Sequence, residues 1–189
     1  MPIPDRLKLR PASEQLFHEM SALCDAIESE LEAGKTAEAY LLQWHSHAGR
    51  HCDPLEFRSY WKAMSKETFV REAINPEPSF DNDVMYSEAL SILEAVATAT
   101  LPEHEIHYYL RWLEAQFPGG NVNNLIYWHD EWFGDALLFR DVNGAFKSEI
   151  NLSNDQILAY AMLKSGRKLP GAPPDVALPF PMPTTKQEL

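Results

Sequence analysis

The chain has 189 residues, 45% hydrophobic and 23% charged, with a formal net charge of −12. Those proportions exclude a disordered chain and describe a globular one that can bury a core without a disulfide or metal staple. Two cysteines are too few for a disulfide scaffold, and no apolar run reaches the roughly 18 residues of a membrane span.

The N-terminal stretch to Pro11 carries basic residues but no apolar run of signal-peptide length, so the expected compartment is the cytosol, with Cys24 and Cys52 as free thiols. After Ser13, the residues Leu16, Met20, Leu23, Cys24, Ile27 and Leu31 recur at spacings of three and four, which predicts a first helix ending at Gly34. A second, from about Thr36, carries Tyr40, Leu41, Trp44 and Ala48 on one side. Asp53, Pro54 and Glu56 together form a strong start signal for a third helix, with Phe57, Tyr60, Trp61 and Met64 as its apolar side. Ser65 caps a fourth bearing Phe69, Val70, Ala73 and Ile74, which Asn75 and Pro76 stop.

Asp81 to Asp83 begin a fifth helix, apolar over much of its circumference through Val84, Met85, Leu90, Leu93 and Val96 and therefore central. Pro102 opens a sixth with Ile106, Tyr109, Leu110, Leu113 and Phe117, stopped by Pro118 and two glycines. Beyond it the pattern changes. Leu125 to Trp128 read as a short strand and Asp130 to Gly134 as a turn. Asn143 and Gly144 then predict a β-hairpin over residues 137–150, pairing Phe139 with Ser148 and Leu137 with Ile150, with Phe146 on the same face. A capping box of Ser153 and Gln156 starts a last helix that ends at Gly166.

From Leu169 to Pro183 there are six prolines in fifteen residues, which predicts an extended tail packed loosely or left flexible. Arg167, Lys168, Leu169, Pro170 and Pro173 within it fit the pattern of polyproline ligands for SH3-type grooves. The expected architecture is thus mainly α: a single helical domain of about seven helices over residues 1–168, a small hairpin, and a Pro-rich tail over 169–189.

Charge narrows the partner. Residues 14–38 hold seven acids against Lys35, and residues 81–135 hold ten against Arg111 alone. A nucleic-acid groove or an anionic membrane needs a stripe of Lys and Arg, and none is present. The segment Tyr127 to Asp135 combines the aromatics Tyr127, Trp128, Trp132 and Phe133 with the acids Asp130, Glu131 and Asp135. Indoles and phenols anchor interfaces, while acids steer a basic partner. The leading reading is therefore a noncatalytic protein-binding module, in the manner of an immunity protein, antitoxin or adaptor, needing no cofactor. Its contact residues are Tyr127, Trp128, Asp130, Glu131, Trp132 and Asp135.

Two other readings compete. His45, His47, His51, Cys52 and Asp53 are all zinc-ligand types, and His47 and His51 share a helix face if the second helix persists that far. With Glu103, Glu105 and His107 from the sixth helix they would make a metal-dependent hydrolase, the candidate ligands being His47, His51, Glu103 and His107. Against it, Gly49 and Arg50 stand where a His-x-His-x-Asp-His motif needs Asp and His, and the acids in the sixth helix's first turn suit the helix dipole regardless. An acidic mimic of DNA accounts for the charge but less well for the aromatic content. No nucleophile elbow and no phosphate-cradling glycine loop is found.

Overall fold

A computed structural model describes residues 2–147 and 150–183. The protein is mainly helical. Ten α-helices lie among the described residues: α1 (Glu14–Glu32), α2 (Glu38–His47), α3 (Pro54–Phe57), α4 (Lys66–Ile74), α5 (Tyr86–Ala97), α6 (Glu103–Gln116), α7 (Val122–Tyr127), α8 (His129–Phe133), α9 (Ala136–Phe139) and α10 (Asn154–Ser165). None of the described helices is long and apolar enough to cross a membrane. The chain divides into two compact units, each discontinuous in sequence: Met1–Asp5, Ser79–Thr100 and Tyr109–Leu189 form unit 1, and Arg6–Pro78 with Leu101–Tyr108 form unit 2.

In unit 2, side-chain caps fix the helix starts. The Ser13 hydroxyl accepts the Leu16 N–H at 3.2 Å, Ser65 accepts Thr68 N–H at 3.1 Å, and Asp53 with Glu56 completes a capping box. Each such cap stabilises its helix by about 1 kcal/mol. Helix α1 presents Met20, Cys24, Ile27 and Leu31 as one buried stripe against α2, α3 and α4, each side chain contributing about 1.5–3 kcal/mol of burial. Trp44, Phe57 and Phe69 close the core, Trp44 to Phe57 edge-on at 5.0 Å and Phe57 to Phe69 at 5.3 Å. The third helix is shorter than its spacing predicts. Ser59 bonds back to the Leu55 carbonyl at 2.8 Å, a 3-10 turn follows at Tyr60–Lys62, and Trp61 stands exposed instead of facing the core.

Unit 1 packs α10 against α5 and α7. Helix α5 is buried over most of its circumference, through Tyr86, Ala89, Ile92, Leu93 and Val96, as a central helix must be. It begins three residues later than expected. Asp81 turns locally onto the Asp83 N–H at 2.8 Å, and the Glu88 carboxylate accepts the Met85 N–H at 2.9 Å. Ser153 and Gln156 make the capping box of α10, and Gly166, at φ +73, ends that helix in the left-handed conformation that glycine adopts without strain.

The departures from expectation concentrate between residues 121 and 150, and they account for the three helices beyond seven. Leu125 to Trp128 are not a strand. Val122 and Leu125, one turn apart, are both buried in α7, and a short apolar run reads equally as either element. Asp130 to Gly134 are not a turn but α8, with Gly134 as its left-handed end. The hairpin over 137–150 is not found among the described residues; Ala136–Phe139 is helical, and a single antiparallel bridge joins Arg140 to Phe146. The expected pairing set Arg140 opposite Lys147, one residue away. Asp141 and Gly144 explain the shift: the Gly144 N–H bonds to the Asp141 carbonyl at 3.1 Å and Gly144 sits at φ +82, a four-residue turn ending on a left-handed glycine instead of a two-residue loop. A slip of one residue sends alternate side chains to the opposite face. Phe139 is accordingly buried and Phe146 exposed, and Ser148, the predicted partner of Phe139, lies outside the described residues.

The described part of the Pro-rich segment, to Pro183, forms neither helix nor strand, yet it is tied down. Leu169 is buried and the Pro170 carbonyl accepts the Tyr86 N–H at 2.9 Å. The Tyr160 hydroxyl donates to the Phe180 carbonyl at 2.6 Å and accepts the Phe180 N–H at 2.9 Å. Within the polyproline-ligand pattern, Leu169 therefore packs inward while Lys168 and Pro170 stay exposed.

Candidate functional site

Helices α7 and α8 meet at Trp128, which ends one and begins the other at φ −136, ψ 58. This non-helical backbone breaks the run between the two helices at Trp128. The ring keeps 44% of its surface exposed, and Tyr127 beside it keeps 40%. One turn further on, Trp132 points inward. Its Nε1–H donates to the Gly120 carbonyl at 2.8 Å, Tyr160 packs edge-on at 5.4 Å, and the Lys164 ammonium lies 4.6 Å from the ring centre. Of the two tryptophans proposed as anchors, Trp132 therefore holds unit 1 together and Trp128 faces outward.

The acids divide in the same way. The Asp130 carboxylate is nearly covered and accepts Arg140 Nε–H at 2.5 Å, a bond that holds its carboxyl below the usual aspartate range. A charge so neutralised does not steer a distant partner. Asp135 remains exposed while accepting the Leu138 N–H at 2.9 Å as the cap of α9, and Glu131 is exposed with Asn124 donating to it at 3.2 Å.

Arg140 does a second job. Its guanidinium lies 4.1 Å from the Phe146 ring centre and donates to the Gly144 carbonyl at 2.9 Å. That fixes the loop so that Phe146 stands 6.2 Å, ring to ring, from Trp128, within the range of aromatic pairs. His129 lies between Phe139 at 5.9 Å and Phe146 at 6.3 Å, and burial lowers its pKa, keeping it neutral near pH 7. Trp128 and Phe146 thus form an exposed ring pair, with Tyr127 exposed next to Trp128 in the chain and the acids Glu131, Asp135 and Asp141 exposed in the same stretch of sequence. Phe146, Arg140 and Asp141 were not foreseen as site residues. The Asp-Val-Asn-Gly turn is the signal that returns the chain to Trp128.

The histidines of unit 2 follow a different pattern. Helix α2 ends at His47, so the four-residue relation of His47 to His51 never forms. His51 instead stacks on His45 at 4.4 Å, and His45 Nε2 lies 2.9 Å from the Cys52 carbonyl. His47 is exposed beside Tyr40 and Gln43 in a shallow groove. His107 Nδ1 meets Glu72 Oε2 at 3.0 Å, while Glu103 accepts the Thr68 hydroxyl at 3.0 Å. Arg50 joins Glu56 at 2.7 Å and approaches Glu72 at 3.9 Å. Among the described residues no three His, Cys, Asp or Glu side chains gather in a group that could hold a metal ion, so the four candidate ligands are not brought together. Both thiols are buried. Burial, with Glu28 adding to it, pushes Cys24 up to about 12, and burial raises Cys52 as well, which favours the protonated thiol at both positions.

Compared with family models, with curated proteins and with solved structures, the chain matches none.

Proposed function

We propose that the chain is a noncatalytic module that binds a basic protein partner in the cytosol, in the manner of an immunity protein, antitoxin or adaptor. One observation supports this above the others: Trp128 and Phe146 are held side by side with 44% and 40% of their surfaces open. Large rings cost about 25 cal/mol for each Å² of apolar surface left in water, and here the surrounding contacts fix them in that position. Glu131, Asp135 and Asp141 are exposed in the same stretch of chain as the rings, and exposed acids attract Lys and Arg and repel an acidic competitor. The contact set is thus Tyr127, Trp128, Phe146, Glu131, Asp135 and Asp141, with Asp130 and Trp132 as positioning residues.

Paired capture from the native cell tests the reading. Wild-type chain and a Trp128→Ala, Phe146→Ala double variant serve as baits in parallel at low salt. A basic protein retained by the first and lost from the second is the expected result. Identical retained proteins on both baits would refute it.

A further inference from the structure

Unit 1 carries a second feature unconnected with the aromatic face. Helix α10 and residues 172–178 of the Pro-rich segment line an open groove of about 650 Å³. That volume falls within the roughly 300–1,000 Å³ of small-molecule sites. Its walls are Met162, Leu163, Pro173, Pro174, Val176 and Leu178, with alanines between them. Among the described residues no aromatic ring lines it, so they offer nothing flat to stack a planar ligand, while the unbranched Met162 adapts to a flexible chain.

Among the described residues the charged groups in the wall are Arg167, Lys168 and Asp175, a net positive set on a chain of net charge −12. Arg167 is committed to the fold: it donates to the Gln116 carbonyl at 2.9 Å, to Gln116 Oε1 at 3.0 Å and to the Asp81 carbonyl, and lies over Phe80 at 4.2 Å. Its charge remains, but its donors are in use. Lys168 is exposed at the rim, and an ammonium on a four-carbon stem reaches an incoming anion readily. The wall is held in place from behind by the Gln156 side-chain amide donating to the Ala177 carbonyl at 3.0 Å and by the pair of bonds between Tyr160 and Phe180.

We propose that this groove binds an aliphatic carboxylate, its hydrocarbon chain against Met162, Leu163 and Val176 and its anionic head at Lys168. Apolar walls without ring-stacking surfaces select the chain, and the cation at the rim selects the head.

The test is titration calorimetry of the full chain with laurate below its micellar concentration, alongside dodecanol. Saturable one-site laurate binding is expected, with dodecanol weaker by about threefold, the worth of one exposed charge contact. Lys168→Ala weakens laurate by about threefold and Lys168→Glu by about tenfold, since reversal adds repulsion to the lost attraction. Ala177→Trp fills the groove and abolishes binding, and Leu163→Gln, at an exposed wall position, weakens it if the bulkier variant does not fold. Trp128→Ala leaves the affinity unchanged, which separates this site from the aromatic face. Absence of saturable laurate binding, equal affinity for dodecanol, or indifference to both Lys168→Glu and the wall substitutions would overturn the proposal.

Discussion

The histidine-rich part of unit 2 and the Trp128 face of unit 1 have similar ingredients, rings and carboxylates in close sequence, and opposite outcomes. In unit 2 the polar groups turn on one another: His45 against Cys52 and His51, Glu72 against Arg50 and His107, Glu103 against Thr68. In unit 1 one acid and one indole, Asp130 and Trp132, are used internally, and their effect is to leave Trp128 and Phe146 fixed in the open. The contrast teaches that a dense cluster of ligand-type residues is weak evidence for a site, whereas rings held open by buried neighbours are better evidence of a surface for something else.

Substitutions can break that contrast, beginning with the largest expected effect. Gly49 is where unit 2 closes on itself: a Cβ there would lie 2.0 Å from the Asn75 carbonyl oxygen, and backbone cannot step aside as a side chain can. Gly49→Ala should cost about 3 kcal/mol in urea unfolding, and a change under about 1 kcal/mol would mean the approach is looser than described. Trp132→Phe keeps a six-membered aromatic ring but removes the pyrrole N–H, leaving the Gly120 carbonyl without its donor. A loss of about 1.5 kcal/mol is expected, with weaker partner binding only in proportion to the unfolded fraction. Trp128→Ala should behave in reverse, changing stability by less than about 0.5 kcal/mol while reducing capture of the partner by thirtyfold or more, the loss of about 2 kcal/mol seen when an interface anchor is truncated.

Protonation gives a milder test, one histidine in each unit. Burial lowers the pKa of His104 in unit 2 and of His129 in unit 1. The unfolded chain therefore takes up protons that the folded chain refuses as pH falls below about 6.5, the ordinary histidine value, and stability declines from there downward. Both side chains are partly open to water, so the slope is shallow. His104→Gln and His129→Gln should each flatten it in denaturant curves at pH 7.5 and 5.5, and an unchanged slope in both would remove burial as its cause.

Much of unit 2 was legible because its signals are local. Ser13, Asp53 with Glu56, and Ser65 announce their helices within four residues, as Ser153 with Gln156 does for α10. The region after Gly120 was not, since its deciding contacts lie far apart in sequence. Nothing near Asp130 reveals that Arg140, ten residues on, will neutralise it. The alternation of Leu137 and Phe139 suits a strand, but the Asp141–Gly144 turn shifts the return by one residue and leaves Phe146 facing outward. Which of the two tryptophans is buried and which stands open thus depended on the backbone break at Trp128, which no local signal announces.

The most direct measurement places the photo-crosslinking amino acid benzoylphenylalanine at position 128 in one chain and at position 47, in the shallow groove of unit 2, in another, each expressed in the native cell. Irradiation should give a covalent adduct to one basic protein from position 128, suppressed by Glu131→Lys with Asp135→Lys, and none from position 47. An adduct of equal yield from both positions, or none from position 128, would contradict the account.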